Sequence, residues 1–201
     1  MQQKMRTGTL AAGVAAALAL SGCASDMKKA ESTAPMAAPA APAAAAAETA
    51  KEFYVVLPEN GRYYAFGDTK NYFDFLSHSE VALTRTSIGA GPGGKTLVYG
   101  ITKDDVKKNK PSLAEQIFEG KLPPAAGFYG EVAKNGRFYV FGDLKDMKEF
   151  AAVGEVPYSY TDIGTGPDGE TLVWVMNKES YKKGRPVATI ERFKAMRASM
   201  K

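Results

Sequence analysis

Phe53-Tyr54-Val55-Val56-Leu57-Pro58-Glu59-Asn60-Gly61-Arg62-Tyr63-Tyr64-Ala65-Phe66-Gly67-Asp68 returns 75 residues later (128 − 53) as Phe128-Tyr129-Gly130-Glu131-Val132-Ala133-Lys134-Asn135-Gly136-Arg137-Phe138-Tyr139-Val140-Phe141-Gly142-Asp143. In both stretches an apolar run flanks Asn-Gly, the strongest short signal for a two-residue type I′ turn, because both central residues of that turn need positive φ. Each stretch therefore reads as a β-hairpin. With Asn60-Gly61 as the turn, Glu59 faces Arg62, Leu57 faces Tyr64 and Val55 faces Phe66. Phe53, Val55, Leu57, Tyr64 and Phe66 then form the core side. The other side carries Tyr54, Val56, Pro58, Tyr63 and Ala65, and in the second copy Tyr129, Glu131, Ala133, Phe138 and Val140. It is too apolar for a wet face and demands a cover. Tyr54, Tyr63, Tyr129 and Phe138 are the candidate binding surface, covered either by the other copy or by a docked partner.

The repeat extends without a gap. Ile88-Gly89 returns as Ile163-Gly164, Thr96-Leu97-Val98 as Thr171-Leu172-Val173, and Pro111 and Phe118 as Pro186 and Phe193; of 66 positions from Phe53 to Phe118, 27 are identical to their counterparts. That is duplication of one module. Asp68 and Asp143 stand where N-caps would open helices over 68–79 and 143–153, with Phe75 and Phe150 facing the core. A second hairpin pairs 83–90 with 95–101 around Gly91-Pro92-Gly93-Gly94. Its echo turns at Gly166-Pro167-Asp168-Gly169. Thr102 and Asn177 can cap a short helical turn, and final helices lie near 112–120 and 187–199. The fold class is α+β: two tandem ββαββα-like repeats of about 75 residues, 53–127 and 128–201, with antiparallel hairpins packed on helices. A module of this size has a small core and no disulfide to staple it, so the copies are expected to pack together.

Ahead of the repeat, Lys4 and Arg6 precede an apolar stretch, Leu10 to Leu20, too short to span a bilayer. It reads as an export signal over residues 1–22. The stretch ends in Leu20-Ser21-Gly22-Cys23, which resembles the lipobox of bacterial lipoproteins. The resemblance implies cleavage before Cys23, acylation of its thiol, and membrane lipid as a partner. Cys23 is the one cysteine of an exported chain, where a free thiol is a liability that lipidation removes. Two or more acyl chains anchor stably where one does not. In such lipoproteins Asp after the acylated cysteine favours inner-membrane retention. Here Ala24 follows, which implies the outer membrane. Residues 23–52, rich in Ala and Pro, cannot bury enough apolar surface to repay ordering and read as a tether reaching about 30 Å as a loose coil.

Charge narrows the function further. Once Lys4 and Arg6 leave with the signal, 26 − 2 = 24 basic residues face 22 acidic ones, a balance of +2. Nucleic acid is not expected as a partner in this compartment; the clusters Lys107-Lys108 with Lys110 and Lys182-Lys183 with Arg185 read as solvated helix ends. No metal or cofactor is expected, because the lone histidine, His78, is replaced by Val153 in the second copy, and no cysteine remains for metal once Cys23 is acylated. The glycine-rich Gly89 to Gly94 lacks the spacing and the following helix of a P-loop. Asp68, Lys70, Asp143 and Lys145 recur beside the first hairpin of each copy, as caps with a neighbouring ion pair or as ligand contacts. Gly61 to Phe66 with Phe75, and Gly136 to Phe141 with Phe150, resemble the hairpin and helix of YHS-type metal-associated domains. Gly67 and Gly142 stand where that family has cysteines, so its metal chemistry is not implied. The sequence thus points to a lipid-anchored envelope protein, at the outer membrane rather than the inner, that binds or scaffolds an envelope protein or glycan and is not an enzyme. A periplasmic enzyme with a carboxylate or tyrosine site, and a surface lipoprotein binding glycan or a host factor, are the alternatives.

Overall fold

The computed structural model describes residues 48–58 and 60–199. The signal segment, Cys23 and the tether up to residue 47 lie outside the described residues. Strand β1 (Ala50–Leu57) starts inside the stretch read as tether, because Ala50 is buried and pairs with Pro124. It is followed by β2 (Arg62–Phe66), α1 (Thr69–His78), β3 (Thr84–Ser87), β4 (Thr96–Gly100), α2 (Lys103–Lys107) and α3 (Leu113–Phe118). The second half runs β5 (Pro124–Lys134), β6 (Arg137–Phe141), α4 (Leu144–Val153), β7 (Tyr158–Asp162), β8 (Thr171–Met176), α5 (Lys178–Tyr181) and α6 (Val187–Ala198).

All eight strands form one sheet in the order β3-β4-β2-β1-β5-β6-β8-β7. It is a mixed sheet, not a set of antiparallel hairpins alone: β1 runs parallel to β5, β2 to β4, and β6 to β8. The crossovers through α1 and α4 are the reason. After each helix the short strand begins at the end of the sheet where β2 or β6 finished, Thr84 opposite Gly100 and Tyr158 opposite Met176, and runs back, so the long strand that turns out of it lies parallel to β2 or β6 and the short strand goes to the edge. Helices cover both faces. On one, α3 and α4 bury Ile117, Met147 and Phe150 against Phe53, Val55 and Val132; on the other, α1 and α6 bury Tyr72, Phe73 and Phe193 against Tyr54, Phe138 and Trp174.

The helix starts follow from the caps. Asp68 accepts the backbone N–H of Asn71 at 2.8 Å, and Asp143 those of Lys145 and Asp146 at 2.8 and 3.1 Å. Thr102, Ser112 and Asn177 close capping boxes on the short helices. In both β3–β4 and β7–β8 the glycine-rich segment is a hairpin turn, closed by Gly91 N–H to Lys95 O and Gly166 N–H to Glu170 O, each at 2.9 Å.

The two Asn-Gly hairpins differ by one residue in register. In the second, Lys134 faces Arg137 and Ala133 faces Phe138, so Asn135 and Gly136 form the two-residue turn, both at positive φ. In the first, Tyr54 faces Phe66 and Val55 faces Ala65. The expected partners Val55 with Phe66 and Leu57 with Tyr64 are therefore corrected. One extra residue in that turn moves β2 by one place, and a one-residue slip sends every side chain to the other face. Phe53 and Val55 share their core with Tyr63 and Ala65, while Phe66 joins Tyr54 on the opposite side. Gly61 and Gly136 both hold positive φ, at 74° and 66°, with open space where a Cβ would stand. Gly61→Val and Gly136→Val are each expected to cost about 1–2 kcal/mol from backbone strain alone. Chemical denaturation checks this, and an unchanged midpoint for both would contradict it.

Candidate functional site

The four aromatic residues of the candidate surface are all buried by the chain itself. Tyr54, Tyr129 and Phe138 lie under α1 and α6, whereas Tyr63 lies on the other face against Phe118 because of the register shift. Tyr54 stacks on Tyr72 with ring centroids 4.4 Å apart. Burial pushes the hydroxyls of Tyr54, Tyr63, Tyr72 and Tyr129 well above the usual tyrosine range, so they stay protonated donors.

At the centre of that face sits a residue the sequence reading passed over. Glu131 is fully buried, and each of its carboxylate oxygens accepts two hydrogen bonds. Oε2 takes Tyr72 Oη at 2.8 Å and Arg197 Nη2 at 2.7 Å; Oε1 takes Arg197 Nη1 at 2.8 Å and Tyr129 Oη. Arg197, on the last turn of α6, stacks 3.5 Å from the centroid of Phe193 and 4.8 Å from that of Phe138. Burial opposes its charge, but the hydrogen bonds and attraction of Glu131 prevail and hold its pKa above the ordinary arginine value. With each carboxylate oxygen holding two hydrogen bonds, the cluster ties α6 to α1 and β5. The signal was an acidic residue in an apolar strand, where the first copy has Val56.

Asp68 and Asp143 serve as the helix caps described above. Lys70 pairs with Asp74, and Lys145 with Glu149 at 3.6 Å, both as exposed i,i+4 pairs. His78 is exposed at the end of α1, with Nδ1 3.1 Å from Asp74 O. Among the described residues no group of three or more His, Cys, Asp or Glu is placed to hold a metal ion, and no helix is long and apolar enough to cross a membrane.

Asp68 also lines a cavity of about 660 Å³ with Glu52, Leu113 and Arg192; a second open surface lies on the sheet. A groove of about 560 Å³ runs over β2, β4 and β3 beside the end of α1. Its floor is a ladder fixed by strand register: Arg62 opposite Thr96, and Tyr64 opposite Val98, which is in turn opposite Thr86. Phe75 packs on the Tyr64 ring at 4.4 Å. Ser79, Glu80 and Val81 line the helix side, Thr84 the outer strand, and Ile88, 88% exposed, forms a lip.

The same ladder stands on the other face of the sheet in the second half. Arg137 lies opposite Thr171, and Tyr139 opposite Val173, which pairs with Thr161; Phe150 packs on the Tyr139 ring at 4.4 Å, and Ile163 is 83% exposed. A depression of about 300 Å³ between α4 and β8 adjoins it, sharing Glu155 and Val156. Of the eleven residues lining the first groove, nine are identical in the second half; only Ser79 and Thr84 change, to Gly154 and Ser159. Elsewhere in the repeat 27 − 9 = 18 of 66 − 11 = 55 positions match. No protein-family model, curated protein or solved structure matches this chain. The comparison between its own halves is therefore the informative one.

Packing explains only part of the retention: Phe75 and Val98 are buried, and Tyr64 and Val81 pack against the core beside them. Of the fifteen buried apolar residues between Phe53 and Ile117, only six (Phe53, Tyr54, Phe66, Phe75, Leu97 and Val98) are identical in the second half, because the register shift and the change of face give each core its own partners. Arg62, Glu80, Thr86 and Ile88 are exposed, as are Arg137, Glu155, Thr161 and Ile163. Individual exposed side chains of this kind vary at little cost to a fold. The sequence showed each identity singly; only the strand register brings them onto one surface.

Proposed function

We propose that this chain is a lipid-anchored cell-envelope protein, at the outer membrane rather than the inner, whose folded part is two copies of one ββαββα-like module acting as a non-catalytic binding unit. The observation that carries the binding role is the groove over β2, β4 and β3: nine of the eleven residues that line it recur at the equivalent positions of the second half, against six of fifteen buried apolar residues. An enzyme reading has less support, since the most elaborate polar cluster, around Glu131, is closed off and fully satisfied.

The anchor rests on Leu20-Ser21-Gly22-Cys23 and on the position of the folded part in the chain, with 24 residues (48 − 23 − 1) between Cys23 and Glu48, the first described residue. A tether of that length lets both surfaces reach past lipid headgroups while the acyl chains stay in the membrane. Radiolabelled palmitate fed to expressing cells is expected to label the wild-type chain and not Cys23→Ser, which cannot form the thioether. Label on the serine variant, or none on the wild type, would contradict the anchor.

A further inference from the structure

We infer that the groove over β2, β4 and β3 and the equivalent surface of the second half each bind a neutral saccharide, so that one chain holds two segments of glycan, one on each face of its sheet. This rests on the binding-unit reading above and gives it a ligand class. The floor of the first groove offers no main-chain partners, because β2 is bonded to β1 and β4, and β4 to β2 and β3. The free edge here is the outer side of β3, so a peptide added as a strand would lie beside the groove and not across its Tyr64 face. Recognition therefore falls to side chains.

Those side chains have one chemistry in both halves. Three hydroxyls stand along the ladder: Thr84, Thr86 and Thr96 in the first groove, and Ser159, Thr161 and Thr171 at the equivalent positions. A hydroxyl both donates and accepts, which matches the ring hydroxyls of a sugar. The half-buried Tyr64 and Tyr139, each backed by phenylalanine, supply a flat apolar patch with a polar tip suited to the C–H face of a pyranose. The first groove carries one guanidinium and one carboxylate, Arg62 with Glu80, a neutral pair. The second-half surface carries Arg137 and Glu155, with Lys134 Nζ beside them 6.0 Å from the centroid of the Phe150 ring, and a phosphate or polyanion would meet a carboxylate on both surfaces. An uncharged polyhydroxylated ligand meets a matched donor and acceptor.

The test is calorimetric titration of the purified full-length protein with chitotetraose and cellotetraose, with tetragalacturonate as the anionic comparison. At least one neutral tetrasaccharide is expected to bind at two sites per chain, and tetragalacturonate at least ~10-fold more weakly. Arg62→Met with Thr86→Val is expected to leave one site, Arg137→Met with Thr161→Val the other, and all four substitutions none, with melting temperatures held within ~2 °C because these residues are exposed. No binding of either neutral sugar, or preference for the anionic one, would overturn the saccharide assignment. Retention on delipidated envelope material separates that failure from failure of the parent reading. If sugars fail but the fourfold variant is retained less than wild type, these surfaces bind another ligand class; if the two are retained equally, neither is a binding surface.

Discussion

Arg197→Met should lower stability by about 3–5 kcal/mol, the cost of leaving a buried carboxylate without its cation. Glu131 is wholly inside, and two of its four hydrogen bonds come from that guanidinium. Tyr72 and Tyr129 cannot neutralise it, since burial keeps both hydroxyls protonated. Against a typical total of about 5–15 kcal/mol the loss is large, and α6 should fray first because Arg197 is its main polar tie to β5. Adding Glu131→Gln to Arg197→Met should recover roughly 2 kcal/mol, since no charge then remains buried while the tyrosines keep an acceptor. Denaturant unfolding of the four members of this cycle gives the coupling directly. A loss below ~1 kcal/mol for the single variant would mean that the carboxylate is hydrated and the cluster is not closed.

The second large effect separates two glycines that look equivalent in sequence. At Gly67 a Cβ would lie 2.5 Å from Leu113 Cβ and 2.6 Å from the backbone nitrogen of Ala114, so α3 sits directly against the chain there. At Gly142 the nearest atom to such a Cβ is Thr189 Oγ1 at 3.7 Å, an ordinary contact. Gly67→Ala must push α3 outward and loosen Ile117 from its core, at a cost of about 2–3 kcal/mol or more, because backbone cannot swing aside as a side chain can. Gly142→Ala should stay within ~0.5 kcal/mol of wild type. Equal melting temperatures for the two variants would contradict the close approach of α3 to Gly67.

The local elements were legible because their signals are local. Asp68, Thr102, Asp143 and Asn177 hold side-chain caps, and Asn135-Gly136 turns in two residues with both φ positive. What could not be read was relative placement. The 75-residue identity suggested that Tyr63 and Phe138 would face the same way, yet one residue of hairpin register puts Tyr63 under α3 and Phe138 under α6. Nothing in Asn60-Gly61-Arg62 against Asn135-Gly136-Arg137 reveals that slip. The slip moves β2 by one place against β1, while Val55 of β1 lies beside Val132 of β5, 77 residues away.

The candidate site escaped the sequence for a related reason. Apolar aromatic residues drew attention to Tyr54, Tyr63, Tyr129 and Phe138, which are core. The groove residues are common, scattered types such as Arg62, Thr86 and Ile88, whose shared surface exists only once β2, β4 and β3 are laid side by side. The exposed isoleucine in both halves was the usable sign, since a large apolar residue kept in water twice asks for a reason other than packing.

Photo-crosslinking in the living envelope tests the central claim most directly. A benzophenone side chain placed at Ile88, on the lip of the groove, or at Ile163, its exposed counterpart in the second half, should yield adducts with envelope material, while the same probe at Val187, an exposed apolar residue at the start of α6, should not. Adducts from both isoleucine positions and none from Val187 are the predicted result; no adducts from either isoleucine position, or equal adducts from all three positions, would contradict the assignment of the groove and its counterpart as the binding surface.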